Sequence, residues 1–198
     1  MQKLKNRDWL QRVVKRILLL SSILAFSSCL DYQAANIYIY LDQSDFYQGT
    51  AKIEFVNIHS NESDFKERRL EMSEFYKGYK KEGRSILEVI PLYDATVKLT
   101  NKSALSTDAY IEGEFNNLLT ILAPLFQEGT FRFEGNAKRI SVWWKNPLKE
   151  DDNVNLILIY SGKIVSHNSK HFDSKANSLT WSMSKNGDSE IKFVLEAE

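Results

Sequence analysis

The 198-residue sequence is poor in cysteine, histidine, proline and glycine, with one, three, three and eight of them. A single cysteine excludes a disulfide within the chain, so a folded domain has to depend on its hydrophobic core. The common catalytic motifs are also missing, including G-x-S-x-G, the P-loop, H-E-x-x-H and the glycine pattern of dinucleotide binding. We therefore expect a protein that is not an enzyme and binds no cofactor.

The N-terminal apolar run is too short for a comfortable membrane span. It covers residues 17–28, whereas a span needs about 20 apolar residues. Residues 1–16 before it hold six basic side chains and one acidic side chain. A basic start, a short apolar run and small residues at its end are typical of an export signal.

The segment from Phe26 to Cys29, Phe-Ser-Ser-Cys, resembles the lipobox of bacterial lipoproteins. The resemblance implies cleavage before Cys29, a diacylglyceryl thioether on its sulfur and an acyl chain on the new N-terminus. Phe26 departs from the usual leucine. The alternatives are a secretory signal with an incidental cysteine and an uncleaved anchor. Two or three acyl chains anchor a protein stably, because each buried methylene contributes about 0.8 kcal/mol.

This interpretation divides the chain into three parts: a signal peptide at 1–28, a lipidated tether at 29–35 and one domain at 36–198. Without residues 1–28 the chain has 20 basic and 25 acidic residues, a net charge of −5. An acidic body argues against nucleic acid as a partner and against loose electrostatic adhesion to anionic lipid. We expect a monomer held at the bacterial cell envelope by Cys29, facing the periplasm or the cell surface.

The apolar periodicity predicts an α+β domain that is mainly β. We expect an antiparallel sheet of about ten strands, with strands including 85–92, packed with one long amphipathic helix over 61–82 and one short apolar helix over 118–126. Asn61 or Ser63 would cap the long helix. The dipeptide at Asn186 and Gly187 predicts a hairpin.

The candidate ligand site combines the apolar segment with two adjacent tryptophans. Trp143 and Trp144 point to opposite faces of a predicted strand, so one is expected in the core and the other against a helix, a partner or a ligand. The segment 118–126 carries no charge. It would close one end of a concave sheet, as an apolar mouth for the acyl chains of a lipid. The residues assigned to this mouth are Leu118, Leu122, Phe126, Trp143 and Trp144, with Tyr38 and Tyr40 on the sheet.

Two of the histidines have a spacing that can bind metal. His167 and His171 are four residues apart, and Asp173 follows. The surrounding sequence is typical of a strand end and a loop rather than a helix, and metal sites need a defined shell of ligands. We therefore favour solvated loop histidines and expect no metal.

The last third of the chain resembles the LppM-type lipoprotein domain. The resemblance lies in Tyr160 to Ser169, Tyr-Ser-Gly-Lys-Ile-Val-Ser-His-Asn-Ser, and in Asn177 to Met183, Asn-Ser-Leu-Thr-Trp-Ser-Met. It implies an envelope lipoprotein with a β-rich domain flanked by helix, and glycolipid binding in some members. No ligand-binding residue carries over, because these motif residues are typical of turns and of one packed face.

Two functions remain open on the sequence. The first is a lipid- or glycolipid-binding lipoprotein, and the second is a structural or protein-interaction lipoprotein with a solid core. An apolar cavity lined by residues such as Phe75 and Trp143 would favour the first.

Overall fold

The computed structural model describes residues 30–42, 45–87, 92–122, 130–136, 138–145, 153–184 and 186–197. Cys29, Phe126 and the predicted export signal lie outside these ranges. In the described ranges the chain forms twelve strands and two helices. The strands are β1 Leu30–Asp31, β2 Ala34–Asp42, β3 Asp45–Ser60, β4 Tyr93–Thr100, β5 Ser106–Phe115, β6 Thr130–Asn136, β7 Arg139–Lys145, β8 Asn153–Tyr160, β9 Lys163–His167, β10 His171–Asp173, β11 Ser178–Ser182 and β12 Glu190–Glu196, and the helices are α1 Phe65–Leu87 and α2 Leu118–Leu122.

The strands form two sheets rather than the single antiparallel sheet predicted. The large sheet has eight strands in the order β10-β11-β8-β2-β3-β5-β4, with β1 also paired to β3. It is mixed, because β2 and β8 run parallel, with Ile37 opposite Leu156. The small sheet has the order β6-β7-β12-β9 and is antiparallel. The mainly-β prediction is confirmed, whereas the single sheet and the strand count are wrong.

The core lies between the two sheets. In β2, β8 and β11 alternate residues are buried, as period-2 patterning requires. Trp181 of the large sheet and Phe193 of the small sheet meet with ring centroids 5.6 Å apart. The buried core residues from both sheets and α2 are Ala35, Ile37, Ile39, Leu41, Phe46, Ala51, Phe115, Leu118, Ile121, Leu122, Ile140, Val142, Trp144, Val154, Leu156, Leu158, Tyr160, Leu179, Trp181, Met183, Ile191, Phe193 and Leu195.

Helix α1 packs on β3 and β4 through a fully buried Met72. Its N-cap is Asp64, whose carboxylate accepts hydrogen bonds from the backbone N–H groups of Lys66 and Glu67 at 2.8 and 3.1 Å. The predicted caps, Asn61 and Ser63, are therefore wrong. The helix also continues to Leu87, which overturns the strand predicted from Ser85. β-Branched and apolar residues there suit either structure, and the helical context prevails.

Two local predictions are corrected by strand pairing. The tether predicted at 29–35 is largely part of the large sheet, because Leu30 pairs with Ser60 and Ala34 pairs with Val56. The hairpin predicted at Asn186 and Gly187 does not form, because β11 and β12 belong to different sheets. The turn instead carries the chain from one sheet to the other.

The motif that resembles LppM-type domains serves the scaffold. Asn177 has a left-handed backbone with φ 47°, and its side-chain amide donates to the carbonyl oxygens of Tyr160 and Gly162 at 2.6 and 2.7 Å. A Cβ at Gly162 would lie 2.6 Å from the Tyr160 ring. A side chain at this position would displace the buried Tyr160 ring, so glycine suits the point where the chain passes from β8 in the large sheet to β9 in the small one.

Candidate binding surfaces

The two adjacent tryptophans are separated by strand β7. Trp144 is 0% exposed and belongs to the core, whereas Trp143 lies on the outer face of the small sheet and is half-buried. This arrangement confirms the expectation that one ring packs in the core while the other faces outward. Alternation along the strand is its physical cause.

The apolar segment at 118 contributes to the core. Leu118 and Leu122 are buried in the single helical turn of α2, which packs against β3 and β5. Trp144 is buried in the same core, and Trp143 faces away from it. Three of the five predicted site residues, Leu118, Leu122 and Trp144, therefore pack in the same core. Trp143 lies on the opposite face of its strand, so these residues do not line one ligand site with it.

Trp143 sits in an open pocket on the outer face of the small sheet, which we call the Trp143 pocket. Its lining residues are Arg132, Glu134, Ser141, Trp143 and Lys192, around a volume of about 290 Å³. Strands β6, β7 and β12 hold Arg132, Trp143 and Lys192 in one row, because these residues are direct cross-strand partners. The Cβ atoms of residues paired in this way lie about 5 Å apart, so the three side chains can contact one bound group at the same time.

Hydrogen bonding and a cation fix the orientation of the Trp143 ring. Its indole Nε1–H donates to the Glu190 carboxylate. The Arg132 guanidinium lies 4.8 Å from the ring centroid, in the range of a cation–π interaction. The Trp143 pocket therefore presents an oriented aromatic ring, a guanidinium, an ammonium, a hydroxyl and the Glu134 carboxylate on one face. From the sequence, only the outward position of one tryptophan could be predicted. Its neighbours Arg132 and Lys192 could not, because their positions beside it depend on the strand register.

A second outward surface lies on the large sheet, and we call it the tyrosine face. Tyr38 and Tyr40 stack with centroids 6.3 Å apart and planes inclined by 15°. In the parallel register they lie opposite Ile157 and Ile159, which are half-buried on the same face. The Lys52 ammonium lies 4.7 Å from the Tyr110 ring. The tyrosine face comprises Tyr38, Tyr40, Lys52, Glu54, Tyr110, Ile157 and Ile159.

Charges on the tyrosine face compensate each other. The Lys52 Nζ lies 2.6 Å from a Glu54 carboxylate oxygen, and the hydrogen bond that Lys52 donates to this carboxylate raises the pKa of Lys52. Burial, and then the charge of Glu54, raise the pKa of Tyr38 above its ordinary value. Lys52 therefore stays cationic and Tyr38 stays neutral at physiological pH, which leaves a face dominated by aromatic and apolar surface.

The histidines do not form a metal centre in the described part of the chain. His167 packs against Phe172 with ring centroids 5.1 Å apart, and His171 is exposed at the edge strand β10. Across the described ranges no group of three or more His, Cys, Asp or Glu side chains is placed to hold a metal ion.

Together the sheets define a class of protein, a two-sheet β domain with one long helix at its side. No protein-family model matches the sequence, and no curated protein matches it. Among solved structures, the chain is similar to the folded domain of the Mycobacterium tuberculosis LppM protein, determined by NMR. The two share 9% identity over 82% of this chain and 88% of that one, with a TM-score of 0.41. Neither helix in the described ranges combines the length and the apolar character that a bilayer span requires.

Proposed function

We propose that the protein is a lipid-anchored, non-enzymatic lipoprotein of the bacterial cell envelope, and that its domain binds its ligand on an outer sheet face rather than in its interior. The observation that supports this most is the separation of Trp143 from Trp144. The inner ring, with Leu118 and Leu122, fills the core. The outer ring is oriented between the Arg132 guanidinium and the Glu190 carboxylate.

The chemistry of the Trp143 pocket suits the anionic head group of an envelope lipid or glycolipid. Arg132 can pair with a carboxylate or phosphate in bidentate fashion, and Lys192 adds a second cation. Ser141 offers a hydroxyl to sugar or glycerol oxygens, and the indole offers an apolar plane. A volume of about 290 Å³ fits a head group rather than a whole lipid, because pockets for drug-sized ligands run from about 300 to 1,000 Å³.

The tyrosine face supports a second candidate function, a lipoprotein that binds another protein. Tyrosine is enriched in the centres of protein–protein interfaces, where it combines apolar area with a polar tip. Tyr38 and Tyr40 stack beside Ile157 and Ile159 on one sheet surface. Their half-buried side chains leave apolar area at the surface without a deep pocket, which suits a flat partner better than a small ligand.

Native mass spectrometry of the full-length protein, extracted from bacterial membranes in detergent, distinguishes these functions. If the Trp143 pocket binds a head group, the wild type carries a non-covalent lipid that Trp143→Ala and Arg132→Gln remove. Lys98→Gln removes a cation from the edge strand β4 of the large sheet and serves as the matched control, which should retain the lipid. Unchanged far-UV circular dichroism and a cooperative urea transition in each variant show that the domain is still folded.

Two results on the wild type would contradict the proposal. The protein would carry no non-covalent lipid, and its tryptophan fluorescence would not change on addition of anionic lipid. In that case Tyr38→Ala with Tyr40→Ala tests the second function. Loss of a protein that cross-links to the wild type, with retention of that protein by Trp143→Ala, would assign binding to the tyrosine face.

A further inference from the structure

The start of α1 lies beside the point where the lipid anchor enters the fold. Cys29 directly precedes Leu30, and Leu30 in β1 pairs with Ser60 at the end of β3. The Asn61 side-chain amide donates to the Asp31 carboxylate at 3.2 Å. Since consecutive Cα atoms are about 3.8 Å apart, acyl chains on Cys29 would be held close to the segment that leads into Phe65.

The outward side of α1 combines cations with large apolar side chains. In an α-helix each residue turns by about 100°, so seven residues of the segment Phe65–Gly78 fall within an arc of about 140°. One of them, Tyr76, is held against the neighbouring turn through its hydroxyl. The acidic residues Glu67, Glu71 and Glu74 fall outside this arc. We call the other six residues of this arc the outer face of α1, and they are Phe65, Lys66, Arg69, Leu70, Ser73 and Lys77.

The two apolar residues of the outer face, Phe65 and Leu70, are unusually exposed to solvent. Phe65 is 51% exposed and Leu70 is 57% exposed, among the most exposed large apolar residues of the described chain. Exposed apolar residues beside cations are typical of helices that lie in a membrane interface. The charge of this face is opposite to the net charge of −5 carried by residues 29–198.

A pocket of about 280 Å³ adjoins the outer face, lined by Arg69, Ser73, Tyr76, Lys77 and Ala104. The Tyr76 hydroxyl lies 2.9 Å from the carbonyl oxygens of Ser103 and Ser106, which fixes α1 against the turn before β5. Arg69 and Lys77 are two turns apart on the helix, so a phosphate between them would meet positive charge from both sides.

We propose that the outer face of α1 docks on an anionic bilayer next to the acylated Cys29. This inference rests on the anchoring part of the proposed function. Phe65 and Leu70 enter the interface, while Lys66, Arg69 and Lys77 contact lipid phosphates. The anchor and the helix then form two contacts, which fix the orientation of the domain on the membrane. Anionic lipid is the occupant because the anchor brings this face to a bilayer and its charge attracts anionic head groups.

Site-specific labelling tests the orientation in the full-length acylated protein. Leu70→Cys introduces the only reactive thiol if Cys29 is acylated, and Phe172→Cys on β10 is the matched control at another exposed apolar position. Each variant carries a polarity-sensitive fluorophore and is reconstituted into vesicles of phosphatidylcholine with or without phosphatidylglycerol. We expect a blue shift and loss of iodide quenching at position 70 in the anionic vesicles, and neither effect at position 172.

Charge variants and the protein mass complete the test. Replacing Lys66, Arg69 and Lys77 by glutamine should abolish the shift at position 70, because each cation near an anionic surface is worth about fivefold in binding. Equal quenching at positions 70 and 172 in acylated protein overturns the inference while the anchoring proposal stands. An unacylated mass overturns the anchoring proposal. The label comparison is then repeated in a Cys29→Ser background, where position 70 or 172 again carries the only thiol, on vesicles added from outside, and it decides separately whether α1 binds anionic lipid.

Discussion

The Trp181 indole Nε1–H donates a hydrogen bond to the Asn168 Oδ1 at 2.9 Å. The same oxygen accepts the backbone N–H of Lys192 at 2.8 Å, and the Asn168 amide donates to the carbonyl of Glu190 at 2.9 Å. Trp181 belongs to the large sheet, and Lys192 and Glu190 belong to the small sheet. One side-chain amide therefore joins the two sheets where Trp181 packs between them.

Asn168→Ala should destabilise the domain by about 1–3 kcal/mol, because it leaves the buried indole N–H and a backbone N–H without their acceptor. Asn168→Asp keeps the acceptor oxygen but loses the donor to Glu190, so it should cost less at neutral pH. Urea unfolding followed by far-UV circular dichroism gives the free energy of unfolding of each variant.

Trp181→Phe supplies the control for this prediction. It removes the N–H and keeps much of the apolar ring, so in its background Asn168→Ala should lose part of its effect. A double-mutant cycle measures the coupling between the two side chains. Additive effects of the two substitutions would show that the hydrogen bond does not stabilise the fold.

Local sequence patterns predicted elements better than their arrangement. Alternating residues in β2, β5 and β8 and the turn chemistry of Asn177 were readable from the chain, and the mainly-β fold follows from them. The parallel pairing of β2 with β8 was not readable, because Tyr38 and Ile157 meet across more than a hundred residues. The division of the strands into two sheets also depends on such long-range pairing. The turn residues at Gly187 therefore predicted a hairpin between two strands that belong to different sheets.

The candidate surfaces were predicted less well than the fold. The outward position of one tryptophan follows from alternation alone. Its partners Arg132 and Lys192 come from two other strands, and only the register places them beside Trp143. The uncharged segment at Leu118 suits both a ligand mouth and a core, and in the structure it fills the core.

Trp144→Ala should destabilise the domain by about 3–5 kcal/mol, since a fully buried large ring leaves a cavity when it is truncated. Trp143→Ala should cost clearly less, because the outer ring is half-buried and water can fill its place. Both free energies come from urea unfolding. Equal costs at the two positions would contradict the assignment of one ring to the core and the other to the surface.

Tyr38 should lose its proton at a higher pH than free tyrosine, because burial and then the Glu54 charge raise its pKa. The unfolded chain releases this proton near pH 10. The stabilisation is therefore fully present below about pH 10 and is lost as the pH rises through the pKa of the folded state. The difference in absorbance at alkaline pH between wild type and Tyr38→Phe reports this single titration.

Glu54→Gln is the control for the Tyr38 titration. It removes the charge but leaves the burial, which is the larger cause, so the pKa of Tyr38 should fall and still exceed the ordinary value. The Tyr38→Phe variant should also lose less stability than the wild type above pH 10, because it has no proton to release there. A Tyr38 titration that ignores Glu54→Gln would mean that the carboxylate does not act on this ring.

Cys29 should carry the lipid anchor, and the mature chain should begin there. Cleavage before Cys29 leaves β1 intact, since Leu30 is its first residue, whereas cleavage a few residues later would remove the strand that pairs with His59 and Ser60. Labelled fatty acid fed to the producing bacterium should enter the wild-type protein. Cys29→Ser should abolish the label and leave a longer precursor that keeps residues 1–28.

The matched control for this substitution is Ser28→Ala, which keeps a small residue before the cysteine and should be processed and labelled like the wild type. Acylation also has a physical consequence that can be measured separately. Each buried methylene contributes about 0.8 kcal/mol, so two or three chains hold the protein on membranes through washes at high salt. A wild-type protein released as a soluble chain with any other N-terminus would contradict the anchor, and with it the placement of α1 on the bilayer beside Cys29.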